Sequence, residues 1–446
     1  MKNETIKAKC IGMDEDGKGI VKIKGRDIHV AGLIEGETAI VEVFQNRNNI
    51  NAKVVRIEEK SKDRVIPACT YFSQCGGCQL QHLSYKGQAE FKQKNVEKLM
   101  KKYHKVNDIL TMENPYFYRN KAHSTLAHDK KRNIVSGIYE ENTHNVISIK
   151  QCIIQNKYTD EVIASIRELM KSFKLEPYNE DTGHGFLRHI LVKTGFASKQ
   201  VMVVLIVASQ VLPGKNNFIK ALLNKHPEIT TIVMNINNRK TSAVLGDREI
   251  VLYGKGYIED TLCGCVFQIS PKSFYQINPV QTELLYNKAI EMAGLKGNEA
   301  VLDAYCGIGT ISLIVSSKVK NVIGVELNKD AVKDAIKNAK RNDIKNAYFY
   351  ADDAGNFMAD LAKEKKSVDV VFMDPPRSGS DEKFLSSLLQ LSPEKVIYIS
   401  CNPVTQAHDL DFLIRNGYIV GEIQPVDMFP QTSHVESIIL LQNMKS

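Results

Sequence analysis

The stretch EAVLDAYCGIGTISLIVSS, residues 299–317, decides how this chain is read. It runs strand, glycine loop, helix. Strand and helix then keep alternating: NVIGVELN is a second strand, KDAVKDAIKNAKRN a helix, and AYFYADDA, DVVFMDPPRSG and KVIYISCNP are further strands. The end closes as a hairpin, IVGEIQPVDMF followed by HVESIILL. Strands alternating with helices in this way predict a doubly wound parallel sheet. Its ligand site is expected at the carboxyl ends of the strands.

The whole chain has 446 residues, more than one core usually supports, so about two to four domains are expected. With 43% hydrophobic and 25% charged residues it has the composition of an ordinary globular chain. No run of about 18 apolar residues occurs, and MKNETIKAKC lacks the apolar stretch of a secretory signal. A cytoplasmic protein without membrane contact is the expectation. A net charge of +8 permits a polyanionic partner without requiring one.

Upstream, residues 8–59 read as short strands (IVKI, IHVAGL, TAIVEVF) between the glycine-containing turns DGKG, KGRD and IEGE, a pattern that suggests a small barrel. The chain divides on this reading into a β-barrel at 1–60, a central α/β domain at 61–265 and the doubly wound domain at 266–446. The charged helix from about Tyr85 to Lys105 carries Lys92, Lys94, Lys98, Lys101, Lys102 and Lys105. It reads either as a solvated face or as a phosphate-contacting surface, as does the knot Lys130–Lys131–Arg132.

Nine cysteines in a reducing compartment are not expected to pair as structural disulfides. Cys69, Cys75 and Cys78 form C-x5-C-x2-C among glycines, and Cys152 follows far downstream. Four thiolates suit an iron–sulfur cluster or a structural zinc. Zinc modules more often carry a second C-x2-C pair, which is missing here, so the spacing leans to iron–sulfur. Cys263 and Cys265 alternate along a strand, which points to packing.

The loop DAYCGIGT places Gly307 and Gly309 where a ligand can approach the backbone. Glu326 ends the next strand nineteen residues after Gly307, where an acid can hold two ribose hydroxyls. Position 312 is Ser, so the full dinucleotide fingerprint is absent. Asp374 begins D-P-P-R, a rigid turn at a strand end. Tyrosine at the fourth place would stack a heterocycle and suit methylation of an amino nitrogen; Arg377 argues against that target. Cys401 arrives at the end of the next strand, beside the same pocket. A thiolate there can add to carbon 6 of uracil and make carbon 5 nucleophilic towards a sulfonium methyl. A base must then remove the carbon 5 proton. The candidates are Glu436, in partly apolar surroundings, and His434.

Taken together, IGMDEDGKGIV, CTYFSQCGGC, SFYQINPVQTELLY, LDAYCGIGTISL, MDPPRSG, YISCNP and FPQTSHVESIILL resemble the RNA uracil-C5 methyltransferases. The match is to the branch with a TRAM domain, an OB-like RNA-binding barrel, and a 4Fe-4S cluster. The resemblance covers nearly the whole chain. It implies a Rossmann-like class I methyltransferase domain, Cys401 as nucleophile and Glu436 as base. Gln276, Tyr305, Glu326, Asp374 and, by position, Asp353 would form the S-adenosylmethionine site. Cys69, Cys75, Cys78 and Cys152 would hold the cluster. The implied partner is RNA, with 23S rRNA ahead of the T-loop of tRNA, and the protein is expected to act as a monomer.

A stacked uridine must be flipped to meet a buried thiol, at a cost of roughly a few kcal/mol. Phe274 and Tyr275 are candidate stacking partners or core residues. Two other classes compete. A non-catalytic RNA-binding assembly factor would tolerate decay at Cys401, Glu436 or Asp374, and none is seen. A radical enzyme would carry C-x3-C-x2-C, and the first spacing here is five.

Overall fold

The computed structural model describes residues 4–46, 49–140, 143–239 and 243–444. Strands Glu4–Met13, Gly19–Ile23, Arg26–Val30, Thr38–Asn46 and Asn49–Glu59 form an antiparallel sheet. The sheet curls until Arg26–Val30 packs against Asn49–Glu59. Alternate residues point inward, and Cys10, Val21, Val30, Leu33, Ala39 and Val41 fill the interior. Gly19 has to be glycine: a Cβ there would lie 2.5 Å from the Leu33 Cβ. Glu37, fully buried, accepts from Arg64 Nε and Nη2 and from the amides of Ile34 and Ser61, which ties the barrel to the segment that leaves it.

The central sheet has seven strands in the order Arg248–Tyr253, Ile229–Ile236, Val201–Val207, Leu187–Thr194, Lys121–His128, Ile134–Tyr139, Val146–Ser148. Only Val201–Val207 and Ile229–Ile236 run parallel. VMVVLIV is buried at every position, the mark of a strand covered on both faces. Helix Lys157–Ser172 packs on this sheet and on helix Lys215–Lys225, burying Val162, Ile166 and Met170.

The third sheet is the doubly wound one. Its strands lie in the order Ala347–Ala351, Asn321–Glu326, Ala300–Ala304, Val370–Met373, Lys395–Ser400, Glu436–Asn443, Tyr418–Val426. The first five are parallel and the sixth and seventh are antiparallel to their neighbours. Strand order reverses beside Ala300–Ala304, the place where such sheets open a ligand crevice.

Two segments cross the domain limits drawn from sequence. The hairpin Ile258–Leu262/Cys265–Ile269 straddles residue 265 and lies on the helix Lys329–Arg341, with Val266 N and Gln268 N each 2.8 Å from Asn342 and Asn338 side-chain oxygens. The helix Tyr85–Met100, shorter than expected, sends Val96 and Met100 into the core of the doubly wound domain. Its Lys94 is exposed as a basic face requires, whereas Lys92 is wholly buried. Lys92 Nζ stands 2.5 Å from Asp427 Oδ1 and donates to the Phe429 carbonyl. Lys92 therefore makes no phosphate contact; the Val96–Met100 side of the helix turns it inward.

Removing one partner of such a pair strands the other charge in the core. Lys92→Met should destabilise the protein by about 3–5 kcal/mol in urea unfolding, with part of the loss recovered when Asp427→Asn is added.

Candidate active site

Strand register builds the site. Ala304 lies beside Met373, Met373 beside Tyr398, and Ser400 beside Ser437. Carrying each register one residue further brings Tyr305 to Asp374 and Cys401 to Glu436. The last strand is antiparallel, so its first residue, Glu436, reaches the edge where the parallel strands end.

Asn402 and Pro403 explain the abrupt end of YIS. Asn402 caps the helix Pro403–Arg415, its side chain accepting from Val404 N, and Pro403 fills the first turn, where no amide donor is needed. Asn402 Nδ2 and Thr405 Oγ1 both donate to the Arg377 carbonyl, at 3.0 and 3.3 Å. The helix start thus holds the D-P-P-R turn beside the thiol.

Burial dominates the electrostatics. It pushes the Glu436 carboxyl up to about 8, with the neighbouring Asp374 charge adding and Arg377 opposing. Asp374 rises to about 7 through burial and then the Asp303 charge. The Cys401 thiol rises to about 11, first from burial and then from Glu436 and Asp374; Arg377, hydrogen-bonded to it, pulls the other way. A helix start also favours a thiolate. The arrangement pairs a nucleophile with a carboxyl able to take a proton near neutral pH.

Of the other expected residues, Glu326 bonds the glycine loop directly and Tyr305 precedes it. Gly307 and Gly309 have φ of 56° and 83°, and a Cβ on Gly309 would meet Phe349 and Ala335. A Cβ on Gly307 would meet nothing within 4 Å, leaving room for a ligand. Glu326 accepts from Gly307 N at 3.2 Å and Asn328 N at 2.8 Å. Tyr305, at φ 66°, lies against Phe384 and in the field of Asp353. Asp353 also caps the helix Ala354–Lys363 through Asn356 N. Gln276 hydrogen-bonds Tyr286, which is fully buried among Asp374, Asp303 and Glu436.

Phe274 is 71% exposed and free to meet a base, while Tyr275 is core. His434 is exposed and edge-on to Phe429, whereas Glu436 is buried. Sequence reading passed over Asp303, Tyr286 and the positive role of Arg377. Asp303 accepts from Ser312 N and Oγ, so the serine that breaks the dinucleotide pattern was the signal. Tyr286 sits on an apolar helix with nothing to set it apart.

Cys69, Cys75, Cys78 and Cys152 line one cavity of about 480 Å³, together with Arg119, Lys121 and Arg167. Cys401, Glu436 and Asp374 do not line it. Burial pushes the Cys78 thiol up to about 12, and the other three thiols each perturb it. Among the described residues no three His, Cys, Asp or Glu side chains gather tightly enough to hold a single metal ion. No helix among the described residues is long and apolar enough to cross a membrane.

Known proteins match this architecture end to end. The structure is similar to that of the Pyrococcus abyssi tRNA (uracil-54, C5)-methyltransferase in complex with S-adenosyl-L-homocysteine, with a TM-score of 0.79 and 27% identity over 98% of this chain and 100% of that one. An uncharacterized RNA methyltransferase of Caldanaerobacter subterraneus is 41% identical over 99% of this chain and 98% of its own length. One from Listeria monocytogenes serovar 1/2a matches at the same identity and coverage. Residues 84–444 fit the family model of the tRNA (uracil-5-)-methyltransferases. With the class I methyltransferase fold and these relatives together, the chain belongs to the tRNA (uracil-5-)-methyltransferase family.

Proposed function

We propose that this protein, an S-adenosylmethionine-dependent RNA uracil-C5 methyltransferase, acts in the cytoplasm as a monomer on specific uridines of 23S rRNA. The observation that carries the mechanism is the pairing of Ser400 with Ser437, which supports a reading with Cys401 facing Glu436 one residue further on. Cys401 Sγ adds to carbon 6 of the flipped uracil, and the carbon 5–carbon 6 electron pair becomes an enolate. Arg377 beside the thiol favours the thiolate that begins this step. Gln276, Tyr305, Glu326, Asp374 and Asp353 would hold S-adenosylmethionine, which would supply the electrophilic methyl group to carbon 5 as its methyl–sulfonium bond breaks, leaving S-adenosylhomocysteine. Once carbon 5 carries that methyl, Glu436 takes the carbon 5 proton. The pair left behind restores the double bond, and the carbon 6–sulfur bond breaks to release the thiolate. Burial holds a proton on Glu436 up to about pH 8 in the free site, so it serves as base in its ionised form, whose proton affinity that same burial raises.

Support for 23S rRNA comes from the resemblance of the barrel and of CTYFSQCGGC to that branch. A second reading, a T-loop uridine of tRNA, is favoured by the Pyrococcus abyssi protein, a tRNA enzyme that matches over its full length. Since that match includes nearly the whole chain, the barrel alone does not separate the two RNAs.

We assign the cysteine cavity to a 4Fe-4S cluster held by Cys69, Cys75, Cys78 and Cys152. The donor set is right for it, and four thiols spread around a cavity suit a cluster better than one zinc ion. Its contribution there is a cross-link between the 69–78 loop and the segment at Cys152, and the methyl transfer does not run through it.

Incubation with labelled S-adenosylmethionine and unmodified 23S rRNA or tRNA, followed by digestion to nucleosides, should give label in 5-methyluridine from 23S rRNA. Cys401→Ala should abolish it, and Glu436→Gln should leave protein and RNA covalently joined. Label from tRNA alone would establish the second reading. Protein purified without oxygen should contain iron and sulfide in equal amounts. Mild oxidation that removes them should weaken folding or RNA binding; loss of activity with both intact would overturn a structural role.

The raised carboxyl predicts a pH effect on stability. Folded Glu436 keeps its proton up to about pH 8, whereas the unfolded chain releases it near 4.5. Stability therefore falls as pH rises through that window. Glu436→Gln removes the penalty, so its melting temperature should gain on wild type between about pH 5 and about pH 8 in thermal scans.

A further inference from the structure

The turn that delivers Glu436 is gripped along its backbone. Five successive carbonyls, Asp427 to Gln431, accept hydrogen bonds from outside the turn. Gln281 Nε2 donates to Asp427 at 3.0 Å and Asn278 Nδ2 to Met428 at 2.9 Å. Lys92 Nζ donates to Phe429 at 3.0 Å, Tyr118 Oη to Pro430 at 3.0 Å and Leu80 N to Gln431 at 3.0 Å. Gln431 adopts φ 73°, a left-handed conformation that L residues seldom take, and Gln88 bonds both its amide and its side chain. The donors come from the helix after Gln276, from the helix Tyr85–Met100 and from two places beside the cysteines. Leu80 is two residues past Cys78, and Tyr118 shares a small core with Cys78 and Cys152.

We infer that Tyr118, Gln281, Asn278 and Lys92 are positioning residues for the proton-removal step: by fixing the 427–431 turn they aim the Glu436 carboxylate at carbon 5. The inference rests on the assignment of Glu436 as base. Cys401 is held by different parts, the strand Lys395–Ser400 and the Asn402-capped helix. Loosening the turn should displace the base relative to a nucleophile that stays in place. Addition and methyl transfer would then proceed while release of the adduct slows. Because two of the five donors sit beside the cysteines, disturbance there reaches the base by the same route.

The test uses the full chain, an RNA that wild type methylates, and two variants: Tyr118→Phe, which removes the bond to Pro430, and Gln281→Met, which removes the bond to Asp427 and a longer one to the Leu110 carbonyl. Steady-state constants and denaturant-resistant protein–RNA adduct on gels are measured beside Glu436→Gln. Both variants should lose on the order of 10–100-fold in kcat. KM for RNA should stay within about twofold. Both should accumulate adduct containing methylated RNA. A merely structural role would lower the melting temperature and the active fraction without adduct. If Glu436→Gln traps adduct and both variants do not, the positioning role is overturned. If Glu436→Gln traps none, the base assignment fails and this inference falls with it. Should Tyr118→Phe not fold, Gln281→Met decides alone.

Discussion

The site depends on one strand pairing, that of Ser400 with Ser437. In a parallel sheet every strand delivers its last residue to the same edge, so the Cys401 thiol and the Asp374 carboxylate arrive from successive strand ends. An added antiparallel strand delivers its first residue there instead. That lets a group from the far end of the chain stand directly opposite the thiol. Side chains alternate faces along a strand, so a one-residue slip would turn Glu436 away. The buried apolar run Ile438, Ile439 and Leu441 holds the register, because a slip would expose part of it.

Three carboxyls share the ground beneath the crevice. Asp303 is satisfied by Ser312 and serves to anchor the helix behind the glycine loop. All three are more basic than free carboxyls because they lose water; Asp374 also faces the Asp303 charge, and Glu436 the Asp374 charge. A cationic ligand placed between them would relieve that repulsion and draw protons away. The free site thus stores a bias towards positive charge, which suits a sulfonium donor better than a neutral one.

Much of this was legible in the sequence, for identifiable reasons. The βαβ alternation after Asn298 follows from local periodicity and glycine placement, and the order of the motifs follows from it. Cys401, Asp374 and Glu436 declared themselves as polar groups at the ends of apolar strands. What failed was long-range. Lys92 looked like its exposed neighbours because its partner is distant in sequence, and a helix rich in lysine gives no sign of which one is buried. The hairpin at Cys263–Gly264 hid a domain limit because its contacts lie with a helix that comes later. Arg377 was read for the ring it lacks instead of the charge it brings to Cys401.

The buried pair of Lys92 and Asp427 joins residues 335 positions apart. A chain emerging from the ribosome can close its barrel early, since those strands are neighbours in sequence. The central sheet can follow. The helix Tyr85–Met100, however, has its apolar side and its lysine prepared for a surface that is translated much later. Until residues 418–443 emerge, that helix must wait, exposed or sheltered by something else. The strand that carries Glu436 and the surface that buries this helix are therefore completed together, so a truncated chain would lack a finished core as well as Glu436.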